Sequence, residues 1–138
     1  MSQQKCIFCS IVSGEIPSAT IYENSEFKVI LDAFPSGKGH TLILPKEHIE
    51  NIYDMDGETA GKLFAFATVV ARALRKVLNC EGMNIIQNNG EVAGQTVFHF
   101  HMHLIPRFRD DGLKFAWPTQ KFTAEEMQDL AEEIGKNI

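Results

Sequence analysis

The sequence predicts an α+β fold, a five-stranded antiparallel sheet with one long and one C-terminal helix. Three observations predict it: five short strand-like runs bounded by turn residues, one long stretch with helical spacing, and a capping signature near the end. The strand-like runs mostly follow one another instead of alternating with helices, which favours an antiparallel sheet over a doubly wound parallel one. At 138 residues the chain is of a size for one hydrophobic core, so one domain over residues 1–138 is expected.

The expected strands are residues 20–23, 26–31, 41–45, 84–87 and 98–105, each flanked by Gly, Asn, Asp, Ser or Pro. Residues 56–78 place Leu63, Phe66, Ala67, Val70, Leu74 and Val77 on one face of a long amphipathic helix. Thr123 with Glu126 three residues on opens a second helix, whose stripe of Met127, Leu130, Ala131 and Ile134 is expected to dock on the body. Residues 108–122 read as an irregular connection. Phe64, Phe100 and Trp117 are hard to place in a single small core, and large apolar groups in excess tend to sit at interfaces.

Composition excludes several classes. A net charge of -5 speaks against a nucleic-acid backbone as ligand, since such ligands call for clustered Lys and Arg. No apolar run approaches the roughly 18 residues that span a bilayer, and residues 1–5 are polar with no apolar run behind them, so no membrane association and a cytoplasmic location are expected. Three cysteines, Cys6, Cys9 and Cys80, make an odd count that does not fit a disulfide framework. Cys80, without a neighbour, reads as a small buried apolar residue. Cys6 and Cys9 form a C-x2-C knuckle, which at this point admits two readings, a zinc-binding pair or two free thiols.

The chemistry is concentrated in His99-Phe100-His101-Met102-His103. In a strand these histidines point to one side and Phe98, Phe100, Met102 and Leu104 to the other, with alternate side chains about 7 Å apart. One face can pack on the long helix and the other can react. A polar solvated strand face and a tri-histidine metal centre are the alternatives. The remaining two histidines, His40 and His48, both lie in residues 39–48, so no histidine is scattered.

At these residues the chain resembles the histidine triad family, whose signature His-φ-His-φ-His-φ-φ, with φ apolar, is matched by His99 to Ile105. Residues 6–13, 30–32, 39–48, 88–90 and 94–97 are similar to family segments in order and spacing, and the part after Arg107 departs. The resemblance implies a zinc-knuckle-bearing, bacterial-type member related to the purine nucleoside phosphoramidase branch, with the corresponding sheet fold. It places His101 as nucleophile on the α-phosphate of a nucleotide conjugate, with the carbonyl of His99 holding its ring, and His103 and His40 binding phosphate oxygens or protonating the leaving group. A neutral imidazole suits that task, because its pKa of about 6.5 leaves it free at neutral pH.

The resemblance further implies that Asn88, Gln95, Thr96 and the backbone at Val97 hold phosphate, a need that an acidic protein must meet locally; a plain polar hairpin turn is the alternative. Asp32 would bind the ribose hydroxyls, and Phe8, Ile11, Ile16 and Ile30 would line a slot for the base, although alone these read as a turn former and core residues. One structural zinc per chain is implied on Cys6, Cys9, His48 and His99. A homodimer is implied too, in which residues 108–118, Trp117 above all, approach the partner's active site. The expected function is hydrolysis or transfer of nucleoside 5′-phosphate conjugates, purine ones by preference, such as phosphoramidates, acyl adenylates or dinucleoside polyphosphates. A nucleotide-binding regulatory or scaffold protein with vestigial turnover is the alternative.

Overall fold

The computed structural model describes residues 6–138. Its sheet comprises β1 (Thr20–Glu23), β2 (Phe27–Leu31), β3 (Thr41–Pro45), β4 (Gly82–Ile86) and β5 (Met102–Arg107), in the spatial order β1-β2-β3-β5-β4 with all neighbours antiparallel. Three helices accompany it, α1 (Ile7–Ser13), α2 (Gly57–Leu78) and α3 (Ala124–Gly135). The sheet and two of the helices are those the sequence predicts. Among the described residues no helix is long and apolar enough to cross a membrane.

The sheet is covered on both faces, and side-chain alternation divides its residues between two cores. On one face Phe27, Val29, Ile43, Phe100, Met102 and Leu104 pack against Leu63, Ala67, Val70 and Leu74 of α2. On the other, Ile30, Leu42 and Leu44 pack against Cys6, Phe8 and Ile11. This second core fastens α1, and the buried Lys28 reinforces it by donating from Nζ to the Ile11 carbonyl at 3.0 Å. Being only seven residues long, α1 escapes a periodicity reading. Its one clear sequence mark is Gly14, whose φ of 87° ends it in the left-handed region.

Helix α2 starts where Asp56 accepts a hydrogen bond from the Thr59 N–H at 2.8 Å and ends at Asn79 with φ 52°. Its buried stripe is narrower than expected: Phe66 is half-buried and Val77 is 81% exposed, because both lie on the flank of the stripe. Two expectations about large apolar groups need correction. Phe100 belongs to the core, whereas Phe64 and Trp117 are exposed. In α3 the Thr123–Glu126 capping box forms as expected, yet Met127, Leu130 and Ile134 stay exposed instead of docking. A capping box fixes where a helix begins and carries no information about what its apolar face meets.

The fifth strand also differs from its predicted span of 98–105. Pairing with β3 runs from Thr41↔Leu104 to Ile43↔Met102 and stops there. Pro45 has no N–H to continue the ladder, and its carbonyl accepts a hydrogen bond from the His99 ring at 2.8 Å. Phe100 N–H turns to the Ile49 carbonyl. Residues 98–101 thus form a bent lead into β5, although the alternation of side chains persists through it.

Candidate functional site

Two clusters of polar groups meet at this bent lead. In the first, one ligand-type atom from each of Cys6, Cys9, His48 and His99 lies within 4.8 Å of the others. His99 Nδ1 is 3.5 Å from both sulfurs, and His48 Nδ1 is 3.2 Å from Cys9 Sγ. Four ligands in a tetrahedron with bonds of about 2.0–2.3 Å would be roughly 3.3–3.8 Å apart, so the spacing fits a zinc ion. The chemistry fits as well. His99 donates from Nε2 to the Pro45 carbonyl, which leaves the Nδ1 lone pair facing the sulfurs, and Cys6 Sγ accepts from the Cys9 N–H. Burial and the neighbouring Cys6 push the Cys9 thiol up to about 11, so a bound cation is what would make it a thiolate at neutral pH.

The second cluster is a directed chain of hydrogen bonds. A backbone carbonyl only accepts, so the 2.8 Å contact between His101 Nδ1 and the His99 carbonyl places the proton on Nδ1 and frees Nε2 as a lone pair. His40 is fixed in the opposite sense, because Ser36 N–H donates to its Nδ1 at 2.9 Å. Its proton is therefore on Nε2, which lies 2.9 Å from His103 Nδ1 and 3.5 Å from Asp32 Oδ2. His103 accepts at Nδ1 and in turn carries its proton on Nε2. Asp32, His40 and His103 could converge on a cation, but the proton fixed on His40 Nε2 stands in the direction a metal would need. These three act as a hydrogen-bonded relay. Gly39, with φ +83°, gives the backbone the left-handed turn that aims His40 inward.

His101 and His103 line a cavity of about 710 Å³, together with Asp32, Thr96, Val97, Phe8, Ile11, Ile16 and Ile30. That size suits a nucleotide-sized ligand. Gln95 and Asn88 are placed differently. The Gln95 side chain is buried and fully engaged, accepting from the Gly90 N–H and donating to the Glu50 and Val97 carbonyls. It shapes the turn that presents Thr96 and Val97 instead of reaching the cavity, and Asn88 packs beside Gly94 outside it. Sequence reasoning missed Ser36, Pro45 and Phe34. Phe34 stands 91% exposed on the cavity rim, its N–H bonded to Asp32 Oδ1 at 2.9 Å. The run Asp32-Ala33-Phe34-Pro35, an Asx turn after a strand, is the signal for it.

An antiparallel sheet that turns a row of alternate histidines away from its long helix is the frame of a histidine triad domain. The chain belongs to the HIT domain family, whose model matches residues 13–110. A HIT family protein of Bacillus subtilis has a crystal structure that superposes with a TM-score of 0.92 at 43% identity, over 97% of each chain. The adenosine 5′-monophosphoramidase of Schizosaccharomyces pombe is 37% identical over 96% of this chain and 98% of its own. A zinc-bound histidine triad protein of Mycobacterium smegmatis has a crystal structure with a TM-score of 0.77 and 42% identity over 86% of each chain.

Burial favours the neutral form of His40, His101 and His103. Burial lowers the pKa of His40 and His101 below the ordinary histidine value, against the raising effect of the Asp32 charge and, for His101, of the bond to the His99 carbonyl. His103 is pushed down to about 4, first by burial and then by His101 and His40. Folding therefore lowers the affinity of His103 for a proton. Stability should be unaffected by this group above about pH 7 and should fall as pH drops from its unfolded value of about 6.5 towards 4. In urea titrations between pH 7.5 and 4.5, His103→Gln should flatten the loss of stability relative to the wild type; an unchanged slope would contradict a neutral buried His103.

Proposed function

We propose that the protein hydrolyses or transfers nucleoside 5′-phosphate conjugates, purine ones by preference, with His101 as the nucleophile. The observation that carries this reading is the 2.8 Å bond from His101 Nδ1 to the His99 carbonyl, which leaves a neutral Nε2 lone pair at the cavity that Asp32, Thr96 and His103 share. The adenosine 5′-monophosphoramidase that is 37% identical to this chain supports a phosphoramidate among the substrates.

The nucleotide would lie with its base in the slot of Phe8, Ile11, Ile16 and Ile30 and its ribose hydroxyls at Asp32. Nε2 of His101 attacks the α-phosphorus, forming a P–N bond as the bond to the leaving group breaks. The proton that the leaving group needs comes from His103 Nε2, which His40 holds in the donor orientation through Ser36. Thr96 and the amides near Val97 stabilise the phosphoryl oxygens. Water then attacks phosphorus and gives up a proton to His103 Nε2, replacing the one the leaving group took, while the P–N electron pair returns to His101 and the nucleoside monophosphate leaves. Covalent catalysis of this kind divides one difficult displacement into two easier ones.

Cys6, Cys9, His48 and His99 would hold one zinc ion, whose four protein ligands leave no open position for water. Its contribution is to fix His99, and through the His99 carbonyl the ring of His101. We also read the protein as cytoplasmic and as a homodimer across a two-fold axis, a reading supported by the exposed Phe64 and Trp117. Residues 108–118 would then approach the partner's cavity.

Two outcomes are expected. His101→Ala should lower kcat/KM for adenosine 5′-phosphoramidate by about a thousandfold or more with the fold retained, and rapid quench with a labelled adenylyl donor should trap acid-labile label in the wild type alone. Near wild-type turnover by the variant would overturn the nucleophile assignment. Metal analysis of protein purified without chelator should find one zinc per chain, and stripping it should lower the melting temperature; no zinc together with two freely titrating thiols would exclude the metal.

A further inference from the structure

The described chain has two open apolar surfaces that do not meet each other. One is the stripe of α3, where Met127, Leu130 and Ile134, with Phe122 just before the helix, are between 55% and 61% exposed. The other is a groove of about 640 Å³ between the flank of α2 and the β1–β2 edge of the sheet, formed by Phe66, Val69, Ala73 and Val77 with Ile21 and Tyr22. Contiguous apolar surface of this kind marks an interaction site. The lengths agree: twelve helical residues in α3 span about 18 Å, and the interval from Phe66 to Val77 spans roughly 17 Å at 1.5 Å per residue.

The charges agree too. Helix α3 presents Glu125, Glu126, Asp129, Glu132 and Glu133. Lys76, one turn beyond Ala73, lies on the groove side of α2 by helical spacing, and Lys38 lines the groove. Within the described residues Lys76 and Lys38 form no ion pair with any carboxylate. In its own chain α3 stands clear of the groove. Arg107 is bonded to Asn84, Asp111 and the Leu113 carbonyl, so the tail leaves from the β4–β5 side of the sheet, while the groove lies at the opposite edge.

We propose that α3 of one copy lies in the α2–β1 groove of a second copy, and reciprocally, so that two acidic amphipathic helices are exchanged across the two-fold axis. This rests on the homodimer reading above and names the surface that forms it. The apolar stripe then fills the groove, and the acidic flanks of α3 meet Lys76 and Lys38.

The test mixes two full-length single variants, Ala73→Cys and Leu130→Cys, carrying different tags, under mild oxidation. A disulfide joining the two tags is expected. The same pair of cysteines placed in one chain, if it closes within that chain at high dilution, would overturn the exchange in favour of docking in cis. A second arm uses charge. Lys38→Glu with Lys76→Glu should weaken the dimer seen by light scattering about tenfold or more, and Glu132→Lys with Glu133→Lys on the other partner should restore it. A dimer that persists without the cross-tag disulfide and without any response to charge reversal overturns this surface while leaving dimerisation standing; a mass of 15.5 kDa for the wild type at micromolar concentration overturns both.

Discussion

His99 is held at three points, and each hold serves a different part of the molecule. Its Nε2–H is given to the Pro45 carbonyl at the end of β3, its Nδ1 faces the sulfurs of Cys6 and Cys9, and its own carbonyl receives the Nδ1–H of His101. The first hold ties the lead into β5 to the sheet where the β3 ladder ends. The second connects α1, which has little else to fix it than one buried face and Lys28, to the far side of the same sheet. The third sets the tautomer of the neighbouring histidine. With the ring completely buried, breaking any one of these contacts strands a polar group away from water, which costs about 1–3 kcal/mol. The cluster and the reactive cavity are thus joined through a single residue, by backbone as much as by side chain.

Under the proposed function, that arrangement would let an acidic chain handle phosphate without a basic surface. The oriented donors are local: the Nε2–H of His103 and behind it His40 oriented by Ser36, in a cavity that Thr96 and Val97 also line. Burial keeps these imidazoles neutral, which is the state a nucleophile and a hydrogen-bond relay both require at neutral pH. Preorganised dipoles in a partly desolvated cavity stabilise developing charge better than mobile surface lysines would.

Much of this was legible in the sequence because it rests on short-range rules. The helical spacing of Leu63, Ala67, Val70 and Leu74, the Thr123–Glu126 capping box and the strand alternation that sets His101 opposite Met102 are all local patterns, and all appear in the structure. The knuckle Cys6–Cys9 was legible as a metal or thiol pair, but its partners His48 and His99 came from the resemblance to the histidine triad family, and the structure brings the four together. What stayed hidden depends on tertiary context. Helix α1 is too short to show a period. The start of β5 is decided by a proline on another strand. Gln95 is indistinguishable in sequence from a ligand-binding glutamine, yet its amide is consumed by the backbone of Gly90, Glu50 and Val97. The stripe of α3 signals burial without naming the surface that buries it.

The central claim is that the His99 carbonyl fixes the proton of His101 on Nδ1 and leaves Nε2 as the reactive atom. Long-range proton–nitrogen NMR on the ring of His101, in protein labelled at histidine, reads this directly. At pH 7 the account predicts a neutral ring with Nδ1 protonated and Nε2 showing the shift of an unprotonated nitrogen. A ring protonated at Nε2 alone, or doubly protonated at that pH, would contradict it.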